Sequence, residues 1–217
     1  MNQIFMATEF LNFLFSQYSE YLKIDIFFEI SAVLFGFISV WYASRNSVLV
    51  YPSGMINTAI FVYLLYKWGL LGDMIINAYY FCVSIYGWYV WTRKKNNLFT
   101  PITKCSSRDF KISSIIFVFA IILIFVIYLY ADKWDSLVSY VDTLTTAIFF
   151  VAMWTMANRK IESWIFWIIG DIISVPLYFY KGLTFTSFQY FVFTFIAIYG
   201  YNVWMKILNR KDQTVKE

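Results

Sequence analysis

The chain has 217 residues, 61% hydrophobic and 24% aromatic, with only 14% charged and a net charge of +4. Soluble domains run near about 45–50% apolar and 25% charged, so this is the composition of a membrane protein, and the modest positive balance needs no nucleic-acid partner. With two cysteines and no histidine, Ser-His-Asp and Cys-His enzymes are excluded, a transition metal has almost no ligands, and no enzyme activity, metal or cofactor is expected.

Residues 1–25 lack a basic start, a clean apolar core and a small-residue cleavage site, so they do not read as a cleaved signal peptide. Phe5, Phe10, Phe13, Phe15, Tyr18 and Tyr21 alternate there with Asn, Gln and Glu, which predicts an amphipathic segment on the membrane or over the first helix. Seven apolar runs follow, near 26–43, 48–67, 71–92, 112–131, 136–157, 162–181 and 183–206. At about 1.5 Å per residue each is long enough to cross a bilayer as a helix.

The second run carries Tyr51, Asn57 and Thr58 behind Pro52. The third carries a stripe at helical spacing: Asn77, Tyr80, Ser84, Trp88 and Trp91. Cys82 lies in that run and Cys105 in the basic loop beyond it, so no disulfide is expected. The fourth run, Ile112 to Ala131, is almost featureless and reads as a lipid-facing spacer. Asp142 and Thr145 interrupt the fifth, and together with Asn57, Thr58, Asn77, Ser84, Asp171, Ser174 and Gln189 they mark helices that line something.

The sixth run is the most informative. Trp164, Trp167, Asp171, Ser174 and Tyr178 fall on one face, while Ile165, Ile169, Ile172 and Leu177 point elsewhere. A carboxylate at the bilayer centre costs roughly 2.5–3.5 kcal/mol, so Asp171 is expected to face protein or a water-filled cavity. Two indoles beside a carboxylate suit a flat cationic solute. The plainer alternative makes Trp164 an interfacial anchor and Asp171 a structural hydrogen-bonding group. Pro176 is a candidate hinge. The seventh run adds Gln189, Tyr190 and Phe193. The amides of Asn77 and Gln189 can donate to and accept from a sugar hydroxyl or carboxamide, or equally join two helices. The expected binding residues are therefore Trp164, Trp167, Asp171, Gln189, Phe193, Asn77, Tyr80, Tyr51 and Asn57.

Thirteen Lys and Arg collect on one side of the predicted spans, from Arg45 and Arg93 to Arg159, Lys160 and Arg210, against Lys23, Lys67, Lys133 and Lys181 on the other. The basic side is expected inside, with the N-terminus outside and the C-terminus cytoplasmic. A repeat also emerges at an offset of 113 residues: Trp41 falls on Trp154, Ile85-Tyr86-Gly87 on Ile198-Tyr199-Gly200, and Val90-Trp91 on Val203-Trp204. The expected fold is therefore an all-α membrane protein of seven transmembrane helices. Two parallel three-helix repeats, 26–92 and 136–206, are joined by a basic loop and linking helix over 93–135, with a tail at 207–217. Parallel repeats place a solute site between the halves near the midplane. The halves differ, since Trp164, Trp167 and Asp171 fall on Tyr51, Gly54 and Thr58, and an asymmetric site suits one oriented molecule.

Ser39-Val-Trp41-Tyr42-Ala43, Val50-Tyr51-Pro52-Ser53-Gly54, Gly72-Asp73 through Asn77-Ala78-Tyr79-Tyr80, and Ile161-Glu162-Ser163-Trp164 through Gly182-Leu183 resemble the PnuC-type vitamin transporters. The resemblance covers about residues 26–206. It implies three-plus-one-plus-three helices, a homotrimer in a bacterial inner membrane, and uptake of nicotinamide riboside by facilitated diffusion with trapping by a cytoplasmic ribosylnicotinamide kinase. The family's W-x-x-W motif, associated with substrate binding, matches Trp164 and Trp167. Thiamine-transporting relatives, working with a thiamine kinase, leave thiamine as the alternative cargo. From a different class, a non-transporting membrane receptor or scaffold would use the aromatic face to bind another helix.

Overall fold

The computed structural model describes residues 22–95, 98–130, 137–181 and 184–214. The expected amphipathic segment falls outside them except for its last few residues. Among the described residues lie seven helices: α1 Lys23–Ser44, α2 Val50–Lys67, α3 Leu71–Thr92, α4 Ser107–Tyr130, α5 Leu137–Ala157, α6 Glu162–Tyr180 and α7 Thr184–Thr214. A two-residue antiparallel hairpin, β1 Lys94–Lys95 and β2 Leu98–Phe99, pairs Lys94 with Phe99 after α3.

Five helices are long and apolar enough to cross a membrane: α1, α4, α5, α6 and most of α7. The other two, α2 and α3, are diluted by Ser53, Asn57 and Thr58 and by Asp73, Asn77 and Ser84. Two boundaries depart from the apolar pattern for local reasons. α4 begins at Ser107, five residues before its apolar run, because Ser106 and Asp109 form a capping box. The Asp109 carboxylate accepts from the Ser106 N–H at 2.8 Å and the Asp109 N–H donates back to Ser106 Oγ at 3.3 Å. α7 continues to Thr214, past the apolar run and through Arg210.

Six helices pack in a closed circuit, α1–α2–α3–α5–α6–α7 and back to α1, while α4 lies outside it against α5. The seam between α3 and α5 is a Tyr79–Phe150 stack with centroids 3.9 Å apart, sealed by the Tyr79 hydroxyl donating to the Phe150 carbonyl at 2.9 Å. Phe37 against Phe193 and Trp41 against Tyr199 close the α1–α7 seam. α4 turns Ile115, Phe119 and Leu129 outward, as a lipid-facing helix should.

The helices α1 and α5 end alike. Asn46 and Arg159 each take a left-handed φ of 55°, and the N–H groups of Ser47 and Lys160 reach back to the carbonyls of Tyr42 and Thr155. These are Schellman ends, with Asn and Arg at the position glycine usually holds. At the opposite end of the bundle, Lys67 pairs with Asp25 at 2.6 Å and Lys181 with Asp142 at 3.1 Å. Asp142 also accepts from the Tyr128 hydroxyl of α4. Asp142 thus ties α4 and α5 to the α6 terminus rather than lining a cavity.

Candidate functional site

A cavity of about 290 Å³ runs inside the six-helix circuit. All nine residues singled out from the sequence border it: Tyr51 and Asn57 on α2, Asn77 and Tyr80 on α3, Trp164, Trp167 and Asp171 on α6, and Gln189 and Phe193 on α7. They converge because the polar and aromatic stripes of these helices face the bundle interior, where a polar side chain avoids lipid. The stripes are shorter than expected. Trp88 is 44% exposed on the outside, Trp91 is buried in the packing at the basic end, and Thr145, Ser174 and Tyr178 stop short of the cavity wall.

The wall is polar on one side. Ser39 Oγ donates to the Val50 carbonyl at 2.8 Å, and Thr58 Oγ1 to that of Gly54 at 2.8 Å. Asn57 donates from Nδ2 to the Ala32 carbonyl at 2.7 Å, and Asn77 from Nδ2 to that of Asp73 at 2.9 Å. Each amide uses an N–H on a helix carbonyl, leaving Oδ1 as its acceptor. The other side is aromatic. Trp167 meets Phe149 at 5.4 Å, Phe149 lies nearly parallel to Tyr190 at 5.8 Å, and Tyr190 meets Phe193 edge-on at 6.4 Å. Asp171, only 2% exposed, stands on this side, and no salt bridge reaches it among the described residues. Aromatic faces beside a desolvated carboxylate attract a cation more strongly than either does in water.

At the basic end the cavity is closed by two matching triplets. Tyr51 lies over Gly87 and meets Trp91 edge-on at 5.2 Å; Trp164 lies over Gly200 and meets Trp204 edge-on at 5.6 Å. A Cβ on Gly87 or Gly200 would collide with the ring above it, so the close approach requires glycine. Trp91 and Trp204 then touch each other at 5.6 Å. The Arg159 guanidinium sits 4.3 Å from the Trp91 ring centre and donates to Asn46 Oδ1, joining the turn after α5 to the turn after α1. Trp164, expected as a binding face, is 1% exposed and belongs as much to this closure as to the cavity.

The loop after α3 is pinned to the same end. Ile102 is buried, Thr103 exchanges backbone hydrogen bonds with Arg159 and Ile161, and the Cys105 N–H donates to the Glu162 carboxylate at 2.9 Å. Burial, reinforced by Glu162, pushes the Cys105 thiol up to about 12. Cys82 and Cys105 are both free.

Phe149 was not among the residues singled out from the sequence. It sits in the run Ala147-Ile-Phe149-Phe150, one phenylalanine among 24. The signal that finds it is the 113-residue offset, which places Phe149 on Gly36 and Gly170 on Asn57.

The sequence profile described as "Nicotinamide mononucleotide transporter" matches residues 26–206. The nicotinamide riboside transporter PnuC of Escherichia coli is 22% identical, covering 78% of this chain and 81% of its own. The riboflavin/roseoflavin transporter RibM of Streptomyces davaonensis is 25% identical over 85% of this chain and 87% of its own. The crystal structure of the vitamin B3 transporter PnuC shares the fold, with a TM-score of 0.63 at 20% identity over 96% of this chain and 90% of that one.

Proposed function

Because the chain belongs to the nicotinamide mononucleotide transporter family, we propose that it takes up nicotinamide riboside across a bacterial inner membrane by facilitated diffusion. Membership makes it a multi-pass membrane transporter and not an enzyme. The observation that carries the choice of cargo is the pairing of Trp167 and Phe149 with the buried Asp171 on one wall of a single cavity. A pyridinium ring matches that wall, and ribose and carboxamide groups match the amides of Asn57, Asn77 and Gln189 opposite. Thiamine carries the same kind of charge on a flat ring. Riboflavin, cargo of one relative by name, is neutral and leaves the Asp171 carboxylate without a partner.

All seven helices cross the membrane in this reading, as two parallel three-helix repeats around α4. In support, Tyr51, Gly87 and Trp91 recur as Trp164, Gly200 and Trp204, and the left-handed Asn46 recurs as Arg159, always 113 residues on. The basic end, with Arg45, Arg93, Arg159 and Lys160, faces the cytoplasm, where the positive-inside tendency puts such residues. A homotrimer and a cytoplasmic kinase that traps the cargo complete the proposal.

Titration of purified protein with nicotinamide riboside, thiamine and riboflavin, read by tryptophan quenching, tests it. Preference for nicotinamide riboside, with uptake of label into proteoliposomes, is the expected result. Preference for thiamine would move the assignment within the family. Binding of none of the three would leave a receptor or scaffold.

A further inference from the structure

Two helix pairs stand at equivalent places in the circuit, α1 with α2 and α5 with α6, and each pair meets through one glycine. On the first pair the glycine is Gly36 of α1, and the side chain above it is Asn57 of α2, whose Nδ2 is 3.0 Å from where a Cβ would stand. On the second pair the glycine is Gly170 of α6, and the side chain above it is Phe149 of α5, whose ring a Cβ would overlap. Counting 113 residues from Gly36 gives Phe149, and from Asn57 gives Gly170. The small and large partners have therefore changed helices between the halves.

The exchange decides what each half shows to the cavity. In the first half the amide of Asn57 projects from α2. In the second, removal of every side-chain atom at Gly170 lets a whole phenyl ring from α5 lie across α6, beside Trp167 and parallel to Tyr190. Three rings from α5, α6 and α7 thus line one wall, a turn of helix from Asp171. Phe149 has no role in the backbone hydrogen bonds that hold the seams, and its neighbour Phe150 does the seam packing against Tyr79 and Tyr80. What remains for Phe149 is the cavity.

We propose that Phe149, held across the face of Gly170, is a specificity-determining residue. It completes an aromatic slot with Trp167 and Tyr190 that selects flat aromatic cations and fixes their orientation, ring toward α5–α7 and polar end toward Asn57. Gly170 is the positioning residue that admits it. This rests on the transport reading above.

The experiment is a double-substitution cycle at Phe149 and Gly170, read as nicotinamide riboside affinity and as melting temperature. Phe149→Leu, which keeps an apolar side chain of similar bulk, is expected to weaken binding about tenfold, the scale of one aromatic contact. Gly170→Ala alone should weaken it by at least as much by displacing the ring. Gly170→Ala added to Phe149→Leu should change affinity by less than about twofold, because the leucine can yield where the ring cannot. Unchanged affinity in Phe149→Leu, whatever its melting temperature, overturns the proposal, as do independent, additive losses in the double variant. If the wild-type protein binds none of the three vitamins, the transport reading falls and this inference with it; if it binds and the cycle shows no coupling, this inference alone falls.

Discussion

The indoles of Trp91 and Trp204 meet at 5.6 Å, and each donates its N–H to the far half of the molecule. Trp91 Nε1 reaches the Met156 carbonyl of α5 at 3.3 Å, and Trp204 Nε1 reaches the Ala43 carbonyl of α1 at 3.1 Å. The two acceptors are 113 residues apart, as are the two donors. With Arg159 above Trp91, these contacts hold the basic end of the cavity shut.

Trp204→Phe keeps an aromatic ring at the crossing but removes the donor. A buried hydrogen bond contributes about 1 kcal/mol net, so the closure should open roughly fivefold more often. A cysteine placed at Ser84, on the cavity wall, should then react faster with a membrane-impermeant thiol reagent supplied from the basic side. An unchanged rate would show that the closure does not depend on this bond.

Substituting the two tryptophans of α6 should separate binding from stability. Trp164 is 1% exposed against Gly200 and Trp204, so Trp164→Ala is expected to destabilise the protein by about 3–5 kcal/mol. Trp167 is only partly buried and faces the cavity. Trp167→Ala should lower nicotinamide riboside affinity about thirtyfold, equivalent to about 2 kcal/mol, with a smaller shift in melting temperature. The reverse ranking would place the ligand against the basic end.

Asp171 is the buried carboxylate of the cavity, and Asp142 is engaged by Lys181 and Tyr128. A proton-driven carrier needs a relay of titrating groups, and the chain has no histidine to supply one. Labelled cargo should therefore exchange across proteoliposomes without any ion gradient and in the presence of a protonophore. Asp171→Asn should weaken binding of a cationic ligand and leave that independence intact. Accumulation above the outside concentration, with no kinase enclosed, would contradict uniport.

Cys105 offers a test of the loop that joins the halves. Because burial and Glu162 raise its thiol to about 12, the thiolate is scarce at pH 8, and alkylation should be much slower than for an ordinary cysteine. In a Cys82→Ser background, Glu162→Gln should lower the thiol pKa, free the Cys105 backbone from its hydrogen bond, and speed iodoacetamide labelling at that pH. Equal rates in the two proteins would mean the loop is not pinned to α6.

The helices were legible in the sequence because a membrane demands long apolar runs, and the cavity because polar residues survive in such runs only where they line something. Asn57, Asp171 and Gln189 were found on that ground. Asp142 met the same criterion and lies elsewhere, since a lysine at a helix end satisfies a carboxylate as well as a cavity does. Phe149 was hidden for the opposite reason: an apolar residue in an apolar helix carries no mark of which way it faces. Only comparison of the halves position by position reveals it, through the glycine opposite. The start of α4 was missed because Arg108 and Lys111 look like loop, whereas the Ser106–Asp109 cap makes them the first turn of a helix.

The left-handed turn at Arg159 sets thermal robustness against operation. Asparagine adopts that backbone readily; arginine does so at a penalty of roughly 1–2 kcal/mol. The side chain that makes the turn strained is the one that crosses to Asn46 and covers Trp91. Glycine at this position would relax the backbone while cutting the polar link between the two turns. Selection for heat tolerance alone would thus favour a protein that folds better and closes worse, and a screen of stabilised variants should count Arg159→Gly as a false success.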